Sequence, residues 1–234
     1  MSVIEFLLGL LFPARCAGCT RYLPKETAGR ALCDSCLSTT AIHDTLLCIV
    51  CRARLAHGKR ICHASAPLRL AAISRYREPA INALITGLKY RRHTVALEAI
   101  DILISTYLKK TGFSFAGYAI IPIPLHSARL RRRGFNQSLL IAQRLAAHLH
   151  LPLITDELIR IRATLPQAQT KNIKERRHNL AHCFALNGKH NLTDRKIILV
   201  DDVCTSGTTL IEAANALKES GAKEIIGFTV AQTG

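Results

Sequence analysis

One segment near the carboxyl end constrains the fold of this chain more than any other. It reads IILVDDVCTSGTT over residues 197–209: four aliphatic residues, two aspartates, a turn rich in hydroxyl groups and glycine, and the beginning of a helix-like stretch. A buried strand that leads through a turn into a helix is typical of α/β sheets, whose ligands bind beyond the carboxyl ends of the strands. A helix that begins there offers unpaired N–H groups and the positive end of its dipole to a phosphate.

The same segment indicates the chemistry of the ligand. Asp201 and Asp202 would repel a phosphate unless the ligand also carries hydroxyl groups or a metal ion. A ribose phosphate that travels with Mg²⁺ supplies both, because the acids can accept hydrogen bonds from the ribose hydroxyls while the turn holds the phosphate. The turn residues expected to hold the phosphate are Thr205, Ser206, Gly207, Thr208 and Thr209.

Strand-like and helix-like stretches alternate from about residue 67 to the end of the chain. Such alternation predicts an α/β fold in which a parallel sheet is flanked by helices. The predicted strands are 70–76, 118–122, 196–200 and 224–231, and the predicted helices are 78–90, 94–109, 137–149 and 208–220.

Seven of the nine cysteines lie in the first 62 residues, mostly as CxxC pairs, which indicates metal binding rather than a disulfide framework. Two CxxC pairs separated by thirteen residues are typical of a zinc ribbon, because each tight turn directs two thiolates at one tetrahedral ion. Four thiolates leave no open coordination position, so the zinc is expected to be structural. The predicted ligands are Cys16, Cys19, Cys33 and Cys36.

A third CxxC pair leaves several arrangements open. Residue 65, where a matching cysteine is expected, is a serine, so the group is either a Cys₃His site or a degenerate half-ribbon. The pairs could also interleave, with the first and third CxxC pairs sharing one ion. The candidate ligands of a second site are Cys48, Cys51, Cys62 and His63, with His57 as the alternative fourth ligand.

An arginine-rich segment joins the predicted strand 118–122 to the predicted helix 137–149, and no acid occurs between Tyr118 and Ala147. The planar guanidinium suits phosphate better than an ammonium group does, although a charge run is often only a solvated surface. Asn136 is the expected N-cap of the following helix. The arginines of this segment are Arg129, Arg131, Arg132 and Arg133.

A further basic stretch over residues 160–177 has a polar middle, which indicates a mobile loop that either covers a substrate or nucleic acid or is only a solvated insert. Its basic residues include Lys171, Lys174, Arg176 and Arg177. The whole chain carries 32 Lys and Arg against 16 Asp and Glu, a formal charge of +16 that favours polyanionic partners. With five Tyr, seven Phe and no Trp, stacking on a single strand is limited, so binding to nucleic acid should be mainly electrostatic.

The amino-terminal apolar stretch, residues 3–12, is too short to span a membrane and lacks the features of a secretory signal. We therefore expect a cytoplasmic protein without a membrane span.

The DDVCTSGTT turn closely resembles the 5-phosphoribosyl-1-pyrophosphate (PRPP) loop of type I phosphoribosyltransferases. Together with the cysteine pairs, the PIPLHSARLRRRGFNQS segment and LKY at residues 88–90, it makes the whole chain resemble the ComF family, also called ComFC or GntX-type proteins. These are phosphoribosyltransferase-fold proteins associated with competence and with DNA uptake or utilisation. The resemblance implies a type I phosphoribosyltransferase-like sheet over residues 66–234 and, over residues 1–65, a small domain with an N-terminal helix and a zinc ribbon.

The resemblance also implies roles for particular residues. Asp201 and Asp202 would bind the ribose hydroxyls and the Thr205–Thr209 turn the 5-phosphate, with Lys89, Arg131 and Arg133 near the pyrophosphate of Mg²⁺-bound PRPP. Single-stranded DNA would bind the basic surfaces described above, and a competence helicase is a further candidate partner. The alternative is an active transferase that moves ribose 5-phosphate to an unidentified acceptor. No catalytic base can be assigned from the sequence.

Overall fold

The structure, a computed structural model, describes residues 13–55, 62–63, 65–89, 93–161 and 183–234. Its centre is a five-stranded sheet in the order β1-β2-β7-β6-β3. The last four of these strands run parallel, and β1 adds to the edge in the antiparallel direction. The strands are β1 Leu47–Cys48, β2 Arg69–Arg75, β3 Tyr118–Pro122, β6 Lys196–Cys204 and β7 Glu224–Gln232.

The parallel strands confirm the predicted fold class. They consist of almost continuous buried runs, as expected for a sheet that is covered on both faces. The prediction for β6 was wrong in one respect: the strand does not end at Val200 but continues to Cys204. Pairing with β7 continues through Asp201↔Thr229 and Cys204↔Gln232, so the two acids lie within the strand rather than after it.

Helices cover both faces of the sheet. On one face, buried residues of three helices pack with Ile198 and Val200; on the other, α6 packs with Ile197 and Leu199. This alternation follows from the two-residue period of a strand. The three helices are α2 Pro79–Leu88, α3 His93–Thr111 and α5 Gln137–Leu149, and the fourth is α6 Thr208–Glu219, all within about two residues of the predicted bounds.

The amino-terminal segment packs on the same core. It contains a 3₁₀ helix over Lys25–Arg30, α1 Asp34–Thr39 and the edge strand β1. Leu32 is fully buried in the cluster that contains Ile81 and Leu84 of α2. The proposed boundary between residues 65 and 66 stays a prediction, and β1 shows that the preceding segment contributes a strand to the main sheet.

Two features were not predicted. The arginine-rich segment forms a short helix, α4 Ser127–Arg133, which ends at Gly134. A small antiparallel hairpin pairs β4 Leu158–Arg160 with β5 Phe184–Leu186. In the part of the chain that the structure covers, every helix is too short or too polar to cross a membrane.

Candidate functional site

Asp201 and Asp202 lie near the carboxyl end of β6, where the sequence placed the ligand site. The Asp202 N–H donates to Asp201 Oδ1 over 2.9 Å, and the Val203 N–H donates to Asp202 Oδ1 over 2.8 Å. These local bonds fix both carboxyl groups relative to the strand. Two carboxylates are thus held side by side at the sheet edge where ligands of α/β proteins bind.

Each acid has a partner from another element. Ser138 Oγ donates to Asp201 Oδ1 over 2.8 Å, and Lys89 Nζ at the end of α2 lies 3.7 Å from Asp202 Oδ2. The predicted residue Lys89 is therefore at the acid pair. Ser138 was not singled out from the sequence, although it belongs to the RGFNQS segment.

The start of α5 positions Ser138. Asn136 is the N-cap, as predicted: its Oδ1 accepts from the Ser138 N–H over 3.1 Å. Its Nδ2 also donates to the Ile123 carbonyl over 3.0 Å, just beyond β3. Asn136 thus joins the start of α5 to the end of β3 and brings the Ser138 hydroxyl to Asp201.

The environment of Asp201 favours its neutral form. Burial, with the neighbouring Asp202 charge, raises the pKa of Asp201 to about 7, although the Ser138 hydrogen bond opposes the shift. The site can therefore gain or lose a proton near neutral pH. A ligand that donates hydroxyl groups to the carboxylate would favour the ionised form.

The hydroxyl-rich turn connects β6 to α6. Gly207 has a φ of 80°, in the left-handed region, and directly precedes α6. Ser206 Oγ and Thr208 Oγ1 form a 2.8 Å hydrogen bond across the turn. The start of α6 at Thr208 therefore lies six residues beyond Asp202, in the arrangement expected for a phosphate.

Ile49, within the third CxxC pair, and Arg52, directly after that pair, support this turn from outside β6. Arg52 Nη2 donates to the Thr205 carbonyl over 2.7 Å and lies 3.2 Å from Cys204 Sγ. A Cβ added at Gly207 would lie 3.1 Å from Ile49 Cδ1. No local sequence pattern indicates these contacts, because more than 150 positions separate Arg52 from the turn.

His126 is the N-cap of α4, and its Nδ1 accepts from the Ala128 N–H over 3.3 Å. Arg131 and Arg132 are exposed, and Arg129 and Arg133 are half-buried. These four arginines therefore share one seven-residue helix that follows β3. Whether they contact a ligand stays a prediction.

Arg160 on β4 is a further cation near the acids. Burial lowers the pKa of its guanidinium; Cys183 and Asp201 oppose that shift, whereas Arg129 adds to it. Arg160 is therefore close enough to Arg129 and Asp201 to interact with both. The other predicted basic residues, Lys171, Lys174, Arg176 and Arg177, lie outside the described residues.

The first cysteine group is assembled as predicted. The Sγ atoms of Cys19 and Cys33 are 3.7 Å apart, and a tetrahedral zinc with bonds of about 2.3 Å requires about 3.8 Å. The Cys33 N–H points at Cys16 Sγ over 3.3 Å, and the Cys36 N–H at Cys33 Sγ over 3.4 Å. Such N–H donors stabilise thiolates, so the donor set fits a zinc ion.

The second group is separate from the first and consists of Cys48, Cys51, Cys62 and His63. The Cys51 and Cys62 Sγ atoms are 3.5 Å apart, and His63 Nδ1 lies 3.2 Å from Cys62 Sγ and 3.4 Å from Cys48 Sγ. The four donor atoms lie within 4.8 Å of one another, as a Cys₃His site requires. The interleaved pairing is therefore wrong for this structure. The alternative ligand His57 lies outside the described residues.

Comparison with known proteins identifies the carboxyl-terminal part of the chain. The family model described as the phosphoribosyl transferase domain matches residues 136–234. This range contains α5, β6, the turn, α6 and β7. The fold is therefore that of a phosphoribosyltransferase domain with an added cysteine-rich segment.

One relative matches nearly the whole chain, and two others match about half of it. The DNA utilization protein YhgH of Escherichia coli O157:H7 is 30% identical over 233 residues, which cover 96% of this chain and 99% of that protein. Competence protein F of Haemophilus influenzae is 40% identical over 108 residues, 46% of this chain and 47% of the relative. Competence protein ComFC of Bacillus subtilis is 33% identical over 114 residues, 48% and 44% respectively. The alignments thus span about half the length of the two competence proteins and nearly all of YhgH.

Proposed function

Because the chain belongs to the ComF family, which includes the DNA utilization protein YhgH and competence protein F, we propose that it binds PRPP and acts in the uptake or use of DNA. The observation that carries this proposal is the pair Asp201 and Asp202 near the carboxyl end of β6, with the hydroxyl-rich turn and α6 after that strand.

The donor site offers a complementary group for each part of PRPP. Asp201 and Asp202 accept hydrogen bonds from the ribose hydroxyls, and the start of α6 with its hydroxyl groups binds the 5-phosphate. Ser138 holds one carboxyl group and Lys89 lies beside the other, so the acids are oriented before the ligand arrives. Preorganisation of this kind increases affinity because less conformational freedom is lost on binding.

Magnesium would accompany the pyrophosphate. Mg²⁺ prefers carboxylate oxygens together with substrate phosphates, and the acid pair provides carboxylates at this edge of the sheet. Bound there, the ion would neutralise pyrophosphate charge. The protein's own contribution would be the carboxylates and nearby cations such as Lys89, which orient the ligand.

Single-stranded DNA would bind through basic surfaces that include α4. The formal charge of +16 supports an electrostatic attraction to phosphates, and Arg131 and Arg132 are exposed on this helix. Because α4 follows β3, a neighbour of β6, DNA on α4 and PRPP on the acids would lie at adjacent strands. We therefore propose that the two ligands influence each other.

Zinc would occupy the first cysteine group and stabilise the fold. The loops that carry Cys16 and Cys33 are short, and metal binding supplies folding free energy to segments of this kind. Gly18 lies against this group: a Cβ added there would be 3.1 Å from Cys36 Sγ and 3.4 Å from Ala80 of α2. Loss of zinc should therefore loosen the contact between the amino-terminal segment and α2.

Calorimetric titration of the protein with Mg·PRPP, with a single-stranded oligonucleotide, and with both in competition tests the proposal. We expect the wild type to bind each ligand. Asp202→Asn should lose Mg·PRPP binding and retain oligonucleotide binding. The double variant Arg131→Ala with Arg132→Ala should weaken oligonucleotide binding more than Mg·PRPP binding. Absence of heat with Mg·PRPP under all conditions would refute PRPP binding.

Release of pyrophosphate distinguishes a binding protein from a transferase. If Mg·PRPP and a panel of amine and base acceptors yield pyrophosphate with the wild type but not with Asp201→Ala, the alternative of an active phosphoribosyltransferase holds. Binding without release would favour a protein that responds to PRPP.

A further inference from the structure

We propose that metal bound by Cys48, Cys51, Cys62 and His63 controls the hydroxyl-rich turn over residues 205–209, here called the phosphate turn, so that occupancy of this second group sets the affinity for a ribose 5-phosphate ligand. The inference rests on the proposed PRPP site but concerns a different part of the chain. It joins two observations: the four donors fit one ion, and the side chain of Arg52, which directly follows Cys51, donates to the Thr205 carbonyl of the turn.

The metal would fix the turn that contains Arg52. Cys48 begins this turn and Cys51 directly precedes Arg52, whose N–H donates to the Cys48 carbonyl over 2.9 Å. Arg52 has a φ of 61°, in the left-handed region that costs a non-glycine residue conformational energy. Such a conformation persists only when its surroundings enforce it. One ion that joins Cys48 and Cys51 to Cys62 and His63 provides this constraint.

Arg52 carries the constraint to the phosphate turn. Its guanidinium donates both to the Ile49 carbonyl within its own turn and to the Thr205 carbonyl over 2.7 Å, so one side chain joins the two turns. Thr205 begins the segment that is proposed to hold the 5-phosphate. A displacement of Arg52 would remove a hydrogen bond from the backbone of that segment.

Ile49 provides a second contact. It is fully buried and belongs to the same apolar cluster as Leu210 of α6. Its Cδ1 would be 3.1 Å from a Cβ at Gly207, so it packs closely against the residue that directly precedes α6. The turn between Cys48 and Cys51 therefore forms a wall of the phosphate turn.

This arrangement makes the two ligands cooperative. Metal in the second group and phosphate at the turn both stabilise the conformation in which Arg52 and Ile49 contact residues 205–207. By thermodynamic reciprocity, metal should increase the affinity for PRPP and PRPP should increase the affinity for the metal by the same factor.

Four variants test the proposal. Cys51→Ser and Cys62→Ser each remove an exposed ligand, and Arg52→Ala keeps the ligands but removes the connection. Val50→Ser is the matched control, because Val50 is half exposed in the same turn and is not a ligand. Zinc content, Mg·PRPP affinity and amide hydrogen exchange of residues 204–209 are measured for each variant.

We expect two zinc ions per wild-type chain and one after Cys51→Ser or Cys62→Ser, with Mg·PRPP affinity lower by about tenfold, a typical allosteric coupling. Arg52→Ala should keep both zinc ions and lose about the same Mg·PRPP affinity as the cysteine variants. The double variant Arg52→Ala with Cys62→Ser should bind Mg·PRPP only slightly less tightly than either single variant. Val50→Ser should match the wild type. Mg·PRPP should also slow transfer of one zinc from the wild type to a chelator.

One zinc per wild-type chain would overturn the proposal, as would loss of the second zinc with unchanged affinity and exchange. If the wild type does not bind Mg·PRPP, the proposed function fails, and hydrogen exchange decides this inference separately. Faster exchange at residues 204–209 in Cys62→Ser, without ligand, would still support control of the turn by the metal. Unchanged exchange would refute it.

Discussion

Ser138 shows how one hydroxyl group can determine the properties of an acidic site. It is buried, and its Oγ donates to Asp201 Oδ1 over 2.8 Å. A hydrogen bond to a charged group contributes about 1.5–3 kcal/mol, and its loss also leaves a half-buried carboxyl group less well oriented. The hydroxyl therefore favours the ionised form that would accept hydrogen bonds from a ribose.

Replacement of Ser138 by alanine should weaken Mg·PRPP binding by about tenfold, since the lost bond favours the ionised carboxylate. Calorimetric titration at pH 8 measures this loss. Ser138→Thr keeps the hydroxyl donor and should retain most of the affinity. Equal affinities for the wild type and Ser138→Ala would show that the hydrogen bond does not serve the ligand.

Asp201 should make stability depend on pH. Burial raises its pKa from the ordinary 3.8 to about 7. Below pH 3.8 both the folded and the unfolded chain hold the proton. Between 3.8 and about 7 only the folded chain does, so this group's contribution to stability falls as the pH rises, and it stays low above pH 7.

Asp201→Asn removes that titration, so the variant should be more stable than the wild type at pH 8, and the difference should shrink toward pH 4. Urea unfolding across this range measures it. Asp156→Asn is the control with opposite sign, because Lys189 and His190 hold the pKa of the exposed Asp156 below its ordinary value. A pH-independent difference for Asp201→Asn would contradict the raised pKa.

At the scale of elements, the junction between β6 and α6 depends on Gly207. Its φ of 80° disfavours any side chain, and a Cβ would also press on Ile49. Gly188 has a φ of 70°, but a Cβ there would contact nothing within 4 Å. The two glycines therefore separate the cost of backbone conformation from the cost of a collision.

Gly188→Ala should cost about 1 kcal/mol, the ordinary penalty for the left-handed region. Gly207→Ala should cost clearly more and should also weaken Mg·PRPP binding, because the start of α6 must shift away from Ile49. Urea unfolding and calorimetry provide the two measurements. Equal destabilisation by the two substitutions would mean that the Ile49 side chain moves aside with no loss of stability.

The sequence predicts the elements well where their own periodicity defines them. The strand 118–122 and the helix 137–149 have the predicted bounds, since each has a clear apolar pattern and a turn or cap at its end. The α4 helix was missed because its seven residues are mostly basic and carry no apolar face. The short β4–β5 hairpin was missed because three-residue strands are too brief to show an alternation.

The candidate site was predictable only where its residues are close in sequence. The acids and the turn form one segment, so their proximity follows from chain order. The Ser138–Asp201 and Arg52–Thr205 bonds join residues 63 and 153 positions apart, and no local pattern reports such pairs. The resemblance to the ComF family supplied Lys89, which the structure places beside Asp202.

At the scale of the whole molecule, charge dominates the expected behaviour toward nucleic acid. A surplus of sixteen positive charges attracts any polyanion, so binding should weaken as salt competes for the phosphates. If net charge alone attracts DNA, the loss of affinity does not depend on which basic residues are removed. If DNA binds a defined surface, the loss is greater when the removed residues belong to that surface.

Single-strand affinity should therefore fall steeply with salt, and the removal of Arg131 and Arg132 should reduce the slope by roughly 1.4, about 0.7 per phosphate contact. Fluorescence anisotropy over a salt series measures the slope. Lys109→Ala with Lys110→Ala removes two exposed charges at the end of α3 and serves as control. Equal slopes for both double variants, or an affinity that ignores salt, would argue against a DNA surface on α4.

The edge of the main sheet has a practical consequence for anyone who divides this protein. Residues 41–48 run beside β2, with Ile42 opposite Ser74 and Leu47 opposite Leu70. A recombinant fragment that starts at residue 66 would leave backbone N–H and C=O groups at the outer edge of β2 unpaired, and unpaired strand edges can pair with other chains. We expect such a fragment to aggregate during purification, whereas a fragment that starts just before residue 41 keeps the segment that covers the edge of β2.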